Sequence, residues 1–155
     1  MTMMEKLVMK KTYFSSLDAP RQVANDVLHS LHRYELLTEE AMWVELAVFE
    51  LVTNVYEHAY NRVDGLDFST SVYTLYGQAN LSPKIKILVS DKGIGMEMSV
   101  FESHINKRID NAKILGISSL ETSGRGLMLV NHLMDDIHYQ SKGGLNTFTI
   151  TKQLS

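Results

Sequence analysis

Cysteine is missing from this 155-residue chain. That excludes disulfides and thiolate metal sites and fits a reducing compartment. Proline occurs only at Pro20 and Pro83, so little of the chain is barred from helix or strand. No apolar run approaches the roughly 20 residues that a membrane span needs. The N-terminal MTMMEKLVMKK is broken by Glu5 and Lys6 and has no signal-peptide h-region. A basic excess is also lacking: the net charge of -3 sets nucleic acid aside as a partner. Neither HExxH nor HxH occurs among the six histidines, so no histidine metal centre is expected. A GxxxxGK[ST] phosphate loop is absent too. The expectation is a cytoplasmic protein with no membrane and no nucleic-acid partner.

What is there reads as one globular domain over residues 1–155. Apolar residues make up 45% and charged residues 21%, and this length can bury a core without staples. KLVMKKTYF has the residue types of an edge strand. Asp18 and Pro20 then mark a helix start, with Val23, Val27, Leu28 and Leu31 as its apolar face. Thr38, as cap, followed by Glu39 and Glu40, starts a second helix expected to run to about Tyr60. FSTSVYTLY and KIKILVSD are strands. Residues 97–123 have weak periodicity and read as a long loop, which in a small domain is often functional. GRGLMLVNHLMDD is a short helix, and DIHYQSK and NTFTITKQL are strands about the Gly143–Gly144 turn. Strands arriving as hairpins predict an α+β two-layer sandwich: a mixed, mostly antiparallel sheet with helices on one face.

Within the second helix, ELVTNVYEHAY poses a chemical question. At about 100° per residue, Val44, Val48, Leu51, Val55 and Ala59 share one arc. Glu50, Asn54 and Glu57 share another, bordered by His58 and extended upstream by Trp43 and Ala47. Asn is a poor residue for a helix interior. An acid and an amide one turn apart, beside a packing stripe, suit a pocket wall. Taken singly, this is a polar helix edge. Two further segments alter the reading. In SDKGIGM, Asp91 closes a strand and Gly93 and Gly95 let backbone approach a ligand; a carboxylate there can accept a hydrogen bond from an exocyclic amine such as adenine's. In TSGRGLMLV, Gly124 and Gly126 open a helix whose N-terminal amides favour phosphate. The three segments suit one ligand. Asp91 reads a base, the Gly124–Gly126 turn holds phosphates, and Asn54 offers an oxygen to Mg²⁺. Glu50 orients a hydroxyl or water for attack on the γ-phosphate.

In order, ELVTNVYEHAY, DKGIGM and GRGLMLV resemble the N, G1 and G2 boxes of the superfamily of gyrase, Hsp90, histidine kinases and MutL. Those proteins share the Bergerat ATP-binding fold. The resemblance covers about residues 20–153. Within the superfamily, the E-x-x-x-N-x-x-x-H-A-Y form of Glu50 to Tyr60 is similar to the small bacterial anti-sigma-factor and serine-protein kinase group, as is GLMLVNHLMDDIHY leading into a terminal hairpin. The resemblance implies ATP and Mg²⁺ as cofactors, Glu50 as catalytic base and Asn54 on the metal. It implies His58, Asp91, Gly93, Gly95, Met96, Gly124, Arg125, Gly126 and Leu127 around the nucleotide, and residues 97–123 as the ATP lid. It also implies a homodimer that phosphorylates a serine on a STAS-type antagonist and binds a sigma factor in competition, a transcription-regulating role. One departure is the DKGIGM segment, whose two glycines match the broad superfamily better than the looser box of many anti-sigma kinases.

His29 and His32 sit at i, i+3 with no acid following either, which argues against a phosphoacceptor histidine. Two functional classes remain. One is a protein serine kinase. The other is an ATP-responsive switch that sequesters a partner with little or no phosphoryl transfer. The pairing of Glu50 with Asn54 favours the kinase, since a pure binder has less need of a base beside its metal ligand.

Overall fold

The computed structural model describes residues 4–77, 83–106 and 125–155. Strand β1 (Met4–Phe14) leads through Ser15–Asp18 into α1 (Ala19–Ser30), followed by a short 3₁₀ turn, His32–Tyr34. Helix α2 (Thr38–Asn54) continues as a π-helical turn, Val55–Ala59. Then come β2 (Asp67–Tyr76), β3 (Lys84–Asp91), α3 (Met98–Ile105), α4 (Arg125–Leu133), β4 (Asp136–Lys142) and β5 (Leu145–Gln153). The sheet order is β1-β2-β3-β5-β4, and every neighbouring pair is antiparallel. The expected mixed sheet is therefore wholly antiparallel among the described residues. No helix among them is long and apolar enough to cross a membrane.

One sheet face carries the core. Along β3, Ile85, Ile87, Val89 and Asp91 are buried while Lys84, Lys86, Leu88 and Ser90 are half-buried, the period-two alternation of a sheet covered on one side. The facing helices supply Val23, Val27 and Leu31 from the first, and Val44, Val48, Leu51 and Val55 from the second, all nearly inaccessible. Truncating one of the leucines to alanine costs about 2–5 kcal/mol where the cavity cannot collapse. At the far end of the sheet, Tyr139 and Phe148 tilt together at 4.7 Å, and Phe101 of α3 stacks on Tyr139 at 5.4 Å.

Three local expectations are corrected. Thr38 is the first helical residue and not the cap. Leu37 holds the cap position, with its N–H donating to Glu40 Oε1 at 3.0 Å. The second helix is not one regular α-helix to Tyr60. Its α-helical part ends at Asn54, and the bond from Tyr60 N to Val55 O at 2.9 Å spans five residues. Part of the expected 97–123 loop is helix α3, tied to α4 by Asn131 Nδ2 donating to Ile105 O at 2.9 Å; residues 107–124, with Gly124 among them, lie outside the described residues. By contrast, the Gly143–Gly144 turn has φ of +62° and +80°, the two left-handed residues of a tight hairpin.

Candidate functional site

Two adjoining cavities meet at the end of α2. The larger, about 460 Å³, is mostly apolar, within the usual range for small-molecule sites. Ile94, Met96, Val100, Leu127, Tyr139 and Phe148 form much of its wall; Asp91, Gly95 and His104 also line it. The smaller, about 310 Å³, is the more polar of the two, with Glu50, Thr53, Glu57, Arg125, Gly126 and Leu129. Asn54 and His58 line both. They are the shared edge between a mostly apolar chamber that holds Asp91 and a compartment holding a base candidate and a guanidinium.

The π turn explains why Asn54 stands where it does. The poor helix former sits at the junction where α-helical bonding gives way to the wider π turn. Widening the last turn also leaves the Ala59 carbonyl to accept Ile94 N at 2.9 Å. That bond ties the loop after β3 to the helix end. Gly93 is required by this approach, because a Cβ there would lie 2.3 Å from Ala59 O. Gly93 lines neither cavity; its part is to let the loop close. Gly95 has a similar constraint, its Cβ meeting Ser141 Oγ at 2.4 Å.

Asp91 is 1% exposed and lies at the cavity margin. Its Oδ1 accepts Asn146 Nδ2 at 2.8 Å and Gly93 N at 2.9 Å. Burial pushes the carboxyl above its ordinary range, and these two donors oppose that. Glu50 is also raised, first by burial; the Arg125 guanidinium pulls it back and Glu57 adds to the rise. A carboxylate shifted toward neutrality and facing a cavity has the basicity that proton abstraction needs. Met96 donates its N–H to Tyr139 Oη at 2.8 Å, which fixes the loop over the aromatic wall.

Of the residues expected from the sequence, Glu50, Arg125 and Gly126 meet in the polar compartment. Asp91, Gly95, Met96 and Leu127 meet in the apolar one, and Asn54 and His58 join the two. Trp43 and Ala47 do not extend the pocket wall. Ala47 is fully buried in the core, and Trp43 lies under Lys152 Nζ at 4.6 Å. The sequence reading missed Asn146, which looks like an ordinary polar residue opening a strand. Its only signal is that the β3–β5 register sets it opposite Asp91. It missed the aromatic wall of Tyr139 and Phe148 as well, since strand aromatics read as core.

The donor set fits Mg²⁺ in one respect. Among the described residues no group of three or more His, Cys, Asp or Glu gathers as a metal cage. A single amide oxygen beside an open polar compartment suits a cation that keeps waters and phosphate oxygens as its other ligands.

The architecture is thus a two-layer α+β sandwich with its site where the second helix meets the loop after β3. A family model described as "Histidine kinase-like ATPase domain" matches residues 15–152, and the chain belongs to that family. It is similar to the serine-protein kinase RsbW of Halalkalibacterium halodurans, 30% identical over 102 residues, which is 66% of this chain and 56% of that protein. RsbW of Staphylococcus aureus is 32% identical over 110 residues, 71% of this chain and 64% of that one. The chain therefore spans less than two thirds of these relatives. In fold it is similar to a chain of the SiaB–SiaC complex of Pseudomonas aeruginosa, with a TM-score of 0.53 at 12% identity, covering 94% of this chain and 89% of that one.

Proposed function

We propose that this chain binds Mg-ATP and acts as a protein serine kinase of the anti-sigma type. Its substrate is a serine on a STAS-type antagonist, and the chain binds a sigma factor in competition with that antagonist. The observation that carries this reading is the shared edge of the two cavities. Asn54 and His58 face both the chamber holding Asp91 and the compartment holding Glu50 and Arg125. A nucleotide laid across that edge puts its base against Asp91 and its phosphates beside Asn54, Arg125 and Gly126. The serine-kinase names of the two RsbW relatives support the transfer step and the class of acceptor.

In this reading Glu50 takes the proton of the attacking serine hydroxyl as its oxygen bonds to the γ-phosphorus and ADP leaves with the bridging oxygen. Burial raises the basicity of Glu50, and the Arg125 guanidinium partly opposes that rise. Asn54 holds the cation through its amide oxygen, and Mg²⁺ when bound neutralises developing phosphate charge. Asp91 accepts from the adenine amine, and Tyr139 and Phe148 give the ring an apolar wall. Residues 97–123 are proposed as the lid, with α3 as its described part, and the protein is proposed to work in the cytoplasm as a homodimer.

The test uses the purified chain as bait in its native lysate with Mg-ATP. A retained STAS-type protein that gains phosphoserine with the wild type, but not with Glu50→Gln, supports the kinase. Retention of a regulator with no phosphoserine anywhere supports the sequestering switch instead.

A further inference from the structure

Asn146 stands opposite Asp91 in the β3–β5 register and is 2% exposed. Its Nδ2 donates to two acceptors, Asp91 Oδ1 at 2.8 Å and Gly93 O at 3.0 Å. Its Oδ1 accepts the Ser141 hydroxyl at 2.6 Å. A backbone carbonyl can only accept, so the end of the amide facing Gly93 is the nitrogen. Turning the amide over would set oxygen against oxygen at both Asp91 and Gly93 and would strip Ser141 of its acceptor. The polarity of this chain of bonds is therefore fixed by its ends.

The consequence falls on Asp91. Oδ1 already receives two donors, from Asn146 and from Gly93 N at 2.9 Å. An oxygen so engaged is held as an acceptor, and Oδ2 is the atom left to meet a ligand. We propose that Ser141 and Asn146 lock Asp91 as an acceptor-only carboxylate and so make the cavity select a purine with a 6-amino group over one with a 6-oxo group. This rests on the nucleotide reading above and adds the residues that set its base selectivity. Both are positioning residues, since they act through Asp91. An exocyclic amine donates to Oδ2, whereas a carbonyl oxygen placed there meets a second lone pair. A proton on Oδ2 would reverse that preference, and burial favours such a proton while the two donors on Oδ1 oppose it. Other ionisable groups that bear on the cavity are His58, Glu97, His104 and Tyr139 on its lining and Tyr60 beside Asp91; Lys92 Nζ is turned to Asp67.

The experiment measures ATP and GTP affinity of the full chain by displacement of a fluorescent nucleotide, from mildly acidic to mildly alkaline pH. Wild type, Asn146→Ala and Ser141→Ala are compared. Removing one hydrogen bond to a charged group is expected to lower the ATP-to-GTP affinity ratio about tenfold in Asn146→Ala. A smaller fall is expected in Ser141→Ala, whose exposed position leaves folding intact. The ratio should also fall further toward acid pH in Asn146→Ala than in wild type. A merely structural role would weaken both nucleotides equally, and an unchanged ratio in both variants overturns the proposal. If Asn146→Ala does not fold, the ratio in Ser141→Ala decides. A wild type that binds no ATP sinks the nucleotide reading itself, which is a different result from ATP binding with unaltered selectivity.

Discussion

Glu50 and Gly126 touch across the gap between α2 and α4: a Cβ placed on Gly126 would lie 2.6 Å from Glu50 Oε2 and 3.6 Å from its carboxyl carbon. The helix proposed to supply the phosphate-side amides is thus seated against the base candidate. The contact is with the tip of a flexible side chain, so a methyl group there would displace the carboxylate without breaking the fold. Gly126→Ala is expected to lower the rate of phosphoryl transfer at least tenfold while the melting temperature stays within about 2 °C of wild type, a change of under about 1 kcal/mol. Transfer assays beside thermal unfolding check it; an unimpaired rate would show that Glu50 need not hold that position.

Gly93→Ala should do the opposite. Its Cβ would meet backbone, 2.3 Å from the Ala59 carbonyl oxygen, at the point where Ile94 N binds that same oxygen. Backbone cannot step aside as a side chain does. Crowding of this kind costs about 1–3 kcal/mol, and for a chain of this length each kcal/mol lowers Tm by about 2–4 °C. A Tm equal to wild type would contradict the close approach of loop and helix end.

Glu50→Gln tests the electrostatics separately from the chemistry. The Glu50 pKa is raised on folding, chiefly by burial. A carboxyl with a raised folded pKa lends stability that is fully present below its unfolded pKa and is lost as pH rises through the folded one. At neutral pH the ionised group is a net cost that glutamine does not carry. Glu50→Gln should therefore melt above wild type at pH 7, and the gap should close as pH falls below about 4. A variant less stable at pH 7 would mean that the attraction of Arg125 outweighs burial.

Tyr139→Phe removes the hydroxyl that accepts Met96 N at 2.8 Å but keeps the ring against Phe101 and Phe148. The lost bond is worth about 0.5–1.5 kcal/mol. Nucleotide affinity measured by titration calorimetry should weaken about three- to tenfold, with the far-ultraviolet circular dichroism unchanged. Unaltered affinity would remove the loop over the aromatic wall from the binding site.

Mg-ATP itself should raise Tm. Ligand at about 100 times its dissociation constant adds about 2.7 kcal/mol, or roughly 5–10 °C here. Differential scanning fluorimetry with and without the nucleotide reads this directly, and no shift at millimolar Mg-ATP would count against the site.

Much of the fold was legible because its signals are local. Pro20 at the first turn, the alternation of Ile85, Ile87 and Val89, and the paired glycines at 143 and 144 each encode their own geometry. The stripe Val44, Val48, Leu51, Val55 and Ala59 is buried as its spacing predicted. What was not legible depends on partners distant in sequence. The break in α-helical bonding after Asn54 accompanies a carbonyl meeting Ile94, a residue distant in sequence, and no period in VYEHA announces it. Asn146 matters because β5 returns beside β3. Within the candidate site, Asp91, Glu50 and Asn54 stood out because glycines and an acid–amide pair punctuate the sequence nearby, while Tyr139 and Phe148 carried no such mark. Trp43 was misplaced because helical phase alone cannot say where a neighbouring element ends and Lys152 begins to cover the ring.

The wide turn at Val55–Ala59 has a consequence for how this helix tolerates change in length. A π turn holds one residue more than the α turn it replaces. Removing a single residue from 55–59 would let α-helical bonding run on with the following chain nearly in phase, because four α-helical residues turn about as far as the five they replace. The surplus residue is a spacer that frees the Ala59 carbonyl for Ile94 N, so its removal should cost that tie between α2 and the loop after β3, whereas a deletion elsewhere in α2 would rotate all that follows by about 100° and should be far less tolerated.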